Sequence, residues 1–224
     1  MPRALFFGPA AALDRAALRL SVHPTLIVFL RAPRLGAVKR RLARDVGALA
    51  AWRFYRQNAA RLLREVGGDA RWRCVLCVTP PAFAGEGRFW PAHLERLGQV
   101  PGDLGRRMAA AVATRPAGPT MLVGGDVPGL GRDQVARAFR CLGRADLVFG
   151  PARDGGFWLA GVSPRRGAPG RIATQIFHDV RWSGRHALSD TLANVPAHYS
   201  VAMLERLRDV DTGDDLRAVL AARD

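Results

Sequence analysis

Apolar residues along the chain fall into short unbroken runs separated by longer stretches of helical spacing. Thr25-Leu26-Ile27-Val28-Phe29-Leu30 is continuous and rich in β-branched residues, which predicts a parallel strand buried on both faces. A loop with Pro33 and Gly36 follows. Helical spacing then runs from Val38 to Val66, divided at Gly47 and closed by Gly67-Gly68-Asp69. Further strands are expected at Arg73–Val78, Thr120–Val123, Asp146–Phe149, Phe157–Val162 and His198–Met203. Helices are expected at Asp103–Thr114, Arg132–Leu142, His186–Asn194 and Gly213–Ala222, with Thr212 as cap of the last. Pro80–Phe89 reads as loop. Ser163–Gly170, rich in Pro, Gly and Arg, reads as a mobile loop.

Strands alternating with helices predict an α/β fold, a mostly parallel central sheet with helices on both faces. At 224 residues and 49% hydrophobic, the chain is long enough for one sizeable core, placed here at residues 25–224. Residues 1–24 read as an N-terminal extension with a short helix from Ala10 to Leu20 rather than as a signal peptide. Ligands of open α/β sheets bind beyond the C-terminal strand ends. Three loops occupy such positions: Arg31–Val38, Gly124–Leu130 and Gly150–Gly156.

Charge and cysteine usage narrow the picture. The net charge is +15, a field that attracts nucleotides, phosphorylated metabolites, nucleic acid or an anionic membrane. Arginines run from Arg3 to Arg223 without clustering, and no nucleic-acid-binding motif accompanies them, which argues against a nucleic-acid partner. No apolar run approaches the roughly 20 residues that cross a bilayer. Three cysteines without a disulfide framework point to a reducing cytoplasm. Cys74 and Cys77 sit three apart in a strand and so face opposite sides, as structural rather than paired thiols.

Of the 34 basic residues one alone is lysine, Lys39, in the loop after the first strand. A compact ammonium on a flexible stem reaches a phosphate differently from a guanidinium. Arg31 and Arg41 flank it, and Gly36 allows backbone amides to approach an anion. The segment is neither a Walker motif nor Gly-x-Gly-x-x-Gly, and it reads equally as a helix N-terminus with surface arginines. Asp126, on a Gly-Gly turn directly after a strand, fits a Mg²⁺ ligand or a turn aspartate. Asp154-Gly155-Gly156 fits a substrate-facing loop or a hairpin turn. Asp209, Asp211, Asp214 and Asp215 crowd one short span. The last two suit a helix N-terminus, whereas the first two fit a second metal ligand or salt bridges. No Gly-x-Ser-x-Gly elbow supports triad chemistry, and five scattered histidines lack ligand spacing.

Taken in order, Phe29–Leu42, Gln99–Met108, Gly125-Asp126-Val127-Pro128, Gly150–Trp158, Trp182-Ser183 and Asp209–Leu216 resemble a bacterial glycosyltransferase-A-like family. It is the arsenosugar-biosynthesis glycosyltransferase type, long catalogued as a domain of unknown function. It is similar to the 2-phospholactate and molybdenum cofactor guanylyltransferases. The resemblance implies a single-domain GT-A fold, that of nucleotide-diphospho-sugar transferases. It implies that Arg31, Pro33, Gly36, Lys39 and Arg41 cradle nucleotide phosphates, with Leu104 and Gly105 near the base. Asp126 and Asp211 would hold the metal, Mg²⁺ or Mn²⁺. Asp154, Gly155, Gly156 and Trp182 would face the acceptor. The family has Lys where Arg31 stands, Thr where Arg40 stands, Ser-Asp-Cys-Pro for Gly125–Pro128, and Tyr for Phe157.

The expectation is therefore a cytoplasmic, metal-dependent transferase with a nucleotide-activated donor, Asp126 and Lys39 being catalytic. Glycosyl transfer from a nucleotide sugar to a small acceptor comes first. Nucleotidyl transfer from a nucleoside triphosphate to a phosphorylated small molecule is the alternative. A basic nucleic-acid-binding protein with a degenerate transferase fold is the reading from another class. Base, sugar, acceptor and oligomeric state are not specified by these motifs.

Overall fold

The computed structural model describes residues 23–221; the expected extension and its Ala10–Leu20 helix lie outside the described residues, apart from His23 and Pro24. Strands β1 (Thr25–Arg31), β2 (Arg73–Thr79), β3 (Glu95–Gly98), β4 (Thr120–Gly124), β5 (Leu147–Pro151), β6 (Phe157–Val162) and β7 (Val201–Met203) form one sheet. Their spatial order is β3-β2-β1-β4-β6-β5-β7. Strand β6 runs antiparallel to both its neighbours, β4 and β5, while every other adjacent pair is parallel. The helices are α1 (Arg40–Val46), α2 (Ala48–Val66), α3 (Leu104–Ala113), α4 (Arg132–Leu142), α5 (Pro169–Ile176), α6 (Ala187–Ala193) and α7 (Gly213–Ala221).

The unbroken apolar run of β1 is explained by cover on both sides. Leu26, Val28 and Leu30 pack with Leu62, Leu63 and Val66 of α2 and Val135, Ala138 and Leu142 of α4. Ile27 belongs to the opposite core, with Met108 and Val112 of α3 and Ile172 and Ile176 of α5. Each fully buried aliphatic side chain contributes about 1.5–3 kcal/mol of transfer free energy. Cys74 lies in the first core and Cys77 in the second, as their spacing requires. Burial pushes both thiols up to about 12, so neither is a poised nucleophile or redox partner.

Two elements depart from the pattern reading. Strand β3 carries Glu-Arg-Leu-Gly and pairs on one side only, with β2. An edge strand with charged side chains shows no apolar alternation, and its charges guard the open edge. The expected mobile loop Ser163–Gly170 is corrected: Pro164–Arg166 forms a 3₁₀ turn, and α5 starts at Pro169. Proline is tolerated in the first helical turn, where its missing N–H has no partner to lose. Arg166 Nε lies 3.3 Å from Asp146 Oδ1, and Asp146 Oδ2 accepts from Ser200 N and Oγ at 2.9 Å each. These bonds tie the segment to the β5–β7 edge. No described helix is long and apolar enough to cross a membrane.

Strand β1 has β2 on one side and β4 on the other. Connections diverge at that point, and a crevice opens beyond the C-terminal ends of β1 and β4.

Candidate active site

Strand β4 ends in Gly124-Gly125-Asp126 at this crevice. Gly125 N donates to Phe29 O at 3.1 Å, and the buried Asn58 of α2 donates its Nδ2 to Gly125 O at 3.1 Å. A Cβ on Gly125 would run into the Leu30 side chain and lie 3.3 Å from Phe29 O. Glycine is therefore required for the turn to close against β1. The result is a carboxylate projecting from a tightly anchored strand end.

Lys39 meets that carboxylate from the loop after β1. It stands directly before α1 with φ 47 and ψ 48, a left-handed conformation that non-glycine residues seldom adopt. Its Nζ is 2.8 Å from Asp126 Oδ2 and 2.9 Å from Asp211 Oδ1, with the lysine side chain 5% exposed. Burial alone would lower the ammonium's pKa. The charges and hydrogen bonds of Asp126 and Asp211 outweigh it and hold the pKa above its ordinary value. Arg41 approaches Asp211 more loosely, at 3.5 Å from Oδ2 and largely in solvent.

The position of Asp211 is set by the start of α7. Thr212 Oγ1 donates to Asp215 Oδ2 at 2.8 Å, and Asp215 N donates back to Thr212 Oγ1 at 3.2 Å. This reciprocal cap resembles a capping box with Asp in place of Glu. Asp215 Oδ2 also accepts from Asp211 N at 3.3 Å, while Asp45 of α1 accepts from Gly213 N at 2.7 Å. The ammonium of Lys39 thus reaches a carboxylate 172 positions along the chain.

Two cavities flank Asp126. The smaller, about 150 Å³, is lined by Phe29, Arg31, Val38, Lys39, Tyr55, Gly125 and Asp126. Tyr55 Oη accepts from Arg31 N and donates to Arg31 O, both at 2.8 Å, which fixes the end of β1. Burial first, then the charge of Asp126, raises the phenol's pKa, so it stays protonated.

The larger cavity, about 240 Å³, lies between the β4 end, the β5–β6 hairpin and the segment before α6. Phe29, Phe157, Trp158 and Trp182 give it aromatic walls, and Asp126, Asp154 and Asp209 supply carboxylates. Phe149, Phe157, Phe177 and Trp182 pack in edge and stacked pairs with centroids 5.7–6.2 Å apart, which makes that wall rigid. Asp154 does sit in a hairpin turn, accepting from Gly156 N at 2.9 Å, and it also lines the cavity. Burial, then the charges of Asp154 and Asp211, pushes Asp209 up to about 6. A carboxylate near that value is a common mark of a functional cleft.

The sequence-selected residues separate into three groups. Asp126, Lys39 and Asp211 meet directly, with Arg41 at their rim; Arg31 lines the smaller cavity, and Leu104, Asp154, Gly156 and Trp182 line the larger. Pro33, Gly36, Gly105 and Gly155 line neither. The Pro33 carbonyl accepts from Trp52 Nε1 at 2.6 Å, and Gly36 supplies a left-handed turn at φ 75. A Cβ on Gly105 would strike the Phe177 carbonyl and lie 2.8 Å from Trp182 Cζ2. Its role is therefore to let α3 approach the wall that holds Trp182. Gly155, at φ 88, carries the hairpin past Arg185 and accepts from Leu188 N at 3.0 Å.

Phe29, Tyr55, Asn58 and Trp158, which the sequence motifs do not single out, also line these cavities or brace the Asp126 turn. Tyr55 and Asn58 did leave a signal, being polar groups inside the apolar stripe of α2 formed by Ala51, Ala59, Leu62 and Val66.

Among the described residues no group of three or more His, Cys, Asp or Glu forms a ready cage for a metal ion. Asp126 and Asp211 nevertheless present oxygens to one common cation, at present the Lys39 ammonium. Mg²⁺ characteristically takes one or two carboxylates and draws its remaining ligands from water and substrate phosphates. Two carboxylates facing one position are a donor set compatible with such an ion, and Lys39 Nζ occupies that position here.

The fold has solved counterparts. A candidate nucleotide-diphospho-sugar transferase from Desulfovibrio desulfuricans G20 is 26% identical, with TM-score 0.80 over 91% of this chain and 88% of that one. The 4-diphosphocytidyl-2C-methyl-D-erythritol synthase of Anaerococcus prevotii DSM 20548 shares the fold at TM-score 0.60 and 7% identity, over 90% of this chain and 98% of that one. Rv0371c of Mycobacterium tuberculosis H37Rv, in complex with manganese, shares it at TM-score 0.55 and 17% identity, over 90% and 99%. The fold is thus that of the nucleotide-diphospho-sugar transferases, and it belongs to the transferase class. No curated protein matches the chain. Residues 62–184, more than half of the chain, match the family of uncharacterized proteins conserved in bacteria, DUF2064, and the chain belongs to that family.

Proposed function

We propose that the protein transfers a glycosyl group from a nucleotide sugar to a small acceptor, with a divalent cation, Mg²⁺ or Mn²⁺, at Asp126 and Asp211. The observation that carries this reading is the meeting of Asp126, Lys39 and Asp211 between two cavities of unlike chemistry. The Desulfovibrio neighbour supports a nucleotide-sugar donor, and the manganese complex of Rv0371c supports a divalent metal. The arsenosugar-biosynthesis type of the family is part of this proposal and rests on the motifs alone.

Donor phosphates enter the basic side, beside Arg31, Lys39 and Arg41. The metal, when bound, neutralises charge on the donor diphosphate. Lys39, released from its carboxylates, stabilises the same charge as it grows on the leaving group. The acceptor lies against Asp154, Gly156 and Trp182. Its hydroxyl oxygen bonds to the anomeric carbon. The bond from that carbon to the diphosphate oxygen breaks, and its electron pair leaves with the nucleoside diphosphate. The hydroxyl proton passes to a cavity carboxylate or to water. Holding both partners in line supplies much of the rate, since effective molarities of well-oriented groups are large.

Nucleotidyl transfer is the second reading. The cluster of Arg31, Arg40 and Arg41 around Lys39 favours it, because a triphosphate carries more charge than a diphosphate sugar. A thermal-shift panel distinguishes the two. Nucleoside triphosphates, diphosphates and common sugar nucleotides are titrated with Mg²⁺ or Mn²⁺ against wild type and Asp126→Ala. Metal-dependent stabilisation by a sugar nucleotide, lost in Asp126→Ala, is the expected outcome. Stabilisation by a triphosphate alone selects nucleotidyl transfer. No response to any nucleotide, with steeply salt-dependent RNA or DNA binding, returns the basic binding-protein reading.

A further inference from the structure

The larger cavity has a charge opposite to that of the chain around it. The protein carries a net +15. Yet the residues lining this cavity include three carboxylates, Asp126, Asp154 and Asp209, and no Lys, Arg or His. The basic side chains stand next door, with Arg31 and Lys39 in the smaller cavity. Lys39 is already committed to Asp126 and Asp211. Arg153 and Arg185 adjoin lining residues in sequence but do not line the cavity, and Arg185 Nε contacts His186 Nε2 at 3.3 Å.

A phosphoryl group placed against the Asp154 wall would lose water and meet like charge, with no basic side chain among the lining residues to offset it. A hydroxyl compound would meet what the wall offers: carboxylate acceptors for its O–H groups and rigid aromatic faces for its C–H surface. An ammonium group would gain further from the carboxylates and from Trp182.

We infer that the acceptor is an unphosphorylated hydroxyl compound, neutral or cationic, of the polyol or amino-sugar class. This deepens the transferase reading and rests on it for the word acceptor. It also bears on the reaction, since a phosphorylated acceptor would bring a phosphate into a cavity with no basic lining, whereas a hydroxyl acceptor would not.

The test uses the full chain and two matched sets of probes: glucose, glucosamine and glucose 6-phosphate, then glycerol, 2-amino-1,3-propanediol and glycerol 3-phosphate. Binding is read by tryptophan fluorescence, since Trp158 and Trp182 line the cavity, and by melting temperature. Within at least one set, the neutral or amino member should bind at least tenfold more tightly than its phosphate. Asp154→Asn should reduce the advantage of the amino member at least threefold; Asp209→Asn serves the same purpose if the first variant misfolds. Equal or tighter binding of the phosphates overturns the inference, and so does failure of every unphosphorylated probe to bind. Amino-sugar binding without any nucleotide response would remove the transferase reading and leave the cavity's preference standing. Nucleotide binding with a preference for phosphates would do the reverse.

Discussion

Lys39 and Asp126 form an ion pair across the ends of β1 and β4, with Nζ 2.8 Å from Oδ2. The same nitrogen reaches Asp211 at 2.9 Å, so one ammonium satisfies two carboxylates brought from distant parts of the chain. Under the proposed function the lysine holds the place assigned to the metal ion, so that binding of metal and donor would exchange one cation for another.

Lys39→Met tests that exchange. Removing one partner of a fully buried pair costs roughly 3–5 kcal/mol, and here the carboxylates are about two-fifths and one-third exposed, which lowers the expectation to about 1–3 kcal/mol. The variant should melt about 3–8 °C below wild type without divalent ions. Mg²⁺ should then stabilise it more than it stabilises wild type. An equal response of the two proteins to Mg²⁺ would show that Lys39 does not compete for the cation position. The native pair should also weaken at strongly alkaline pH. The folded pKa of Lys39 lies above 10.5, so its contribution is complete below that pH and is lost as the pH rises through the folded value.

Gly125→Ala addresses the strand end. The new methyl would meet Leu30, itself packed in the core, and approach Phe29 O. Overpacking of this kind costs about 1–3 kcal/mol. Metal-dependent nucleotide binding should fall by more than the stability loss explains, because the turn carries Asp126. Chemical denaturation and ligand titration on the same sample separate the two effects. Unchanged binding in a destabilised variant would mean that Asp126 keeps its place without the Gly-Gly turn.

The cysteines give a third check. With burial pushing Cys74 and Cys77 up to about 12, neither should react with a thiol reagent in the native protein at pH 8. Cys141 is partly exposed and should be the one that reacts. Three thiols should titrate after denaturation. Rapid modification of two or more in the native state would contradict the packing of β2 between its two cores.

The sequence by itself determined the elements whose physics is local. The β1 run, the break at Gly47, the helix around Arg132–Leu142 and the opposite faces of Cys74 and Cys77 all follow from periodicity and backbone freedom. It also marked Lys39 and Asp126, through one surviving lysine and a carboxylate after a strand end, while Asp211 was separated from Asp209 only by the family resemblance. Tertiary structure decided what no local pattern carries. Strand β3 exists because β2 offers it an edge, and α5 forms where Ile172 and Ile176 find a core to cover. Lys39 and Asp211 are 172 residues apart, and only the docking of α7 against α1 through Asp45 and Gly213 brings them within hydrogen-bond reach. The sheet order likewise sets an acidic, aromatic cavity beside a basic one, a separation of charge that a chain with arginines scattered throughout its length does not display until it folds.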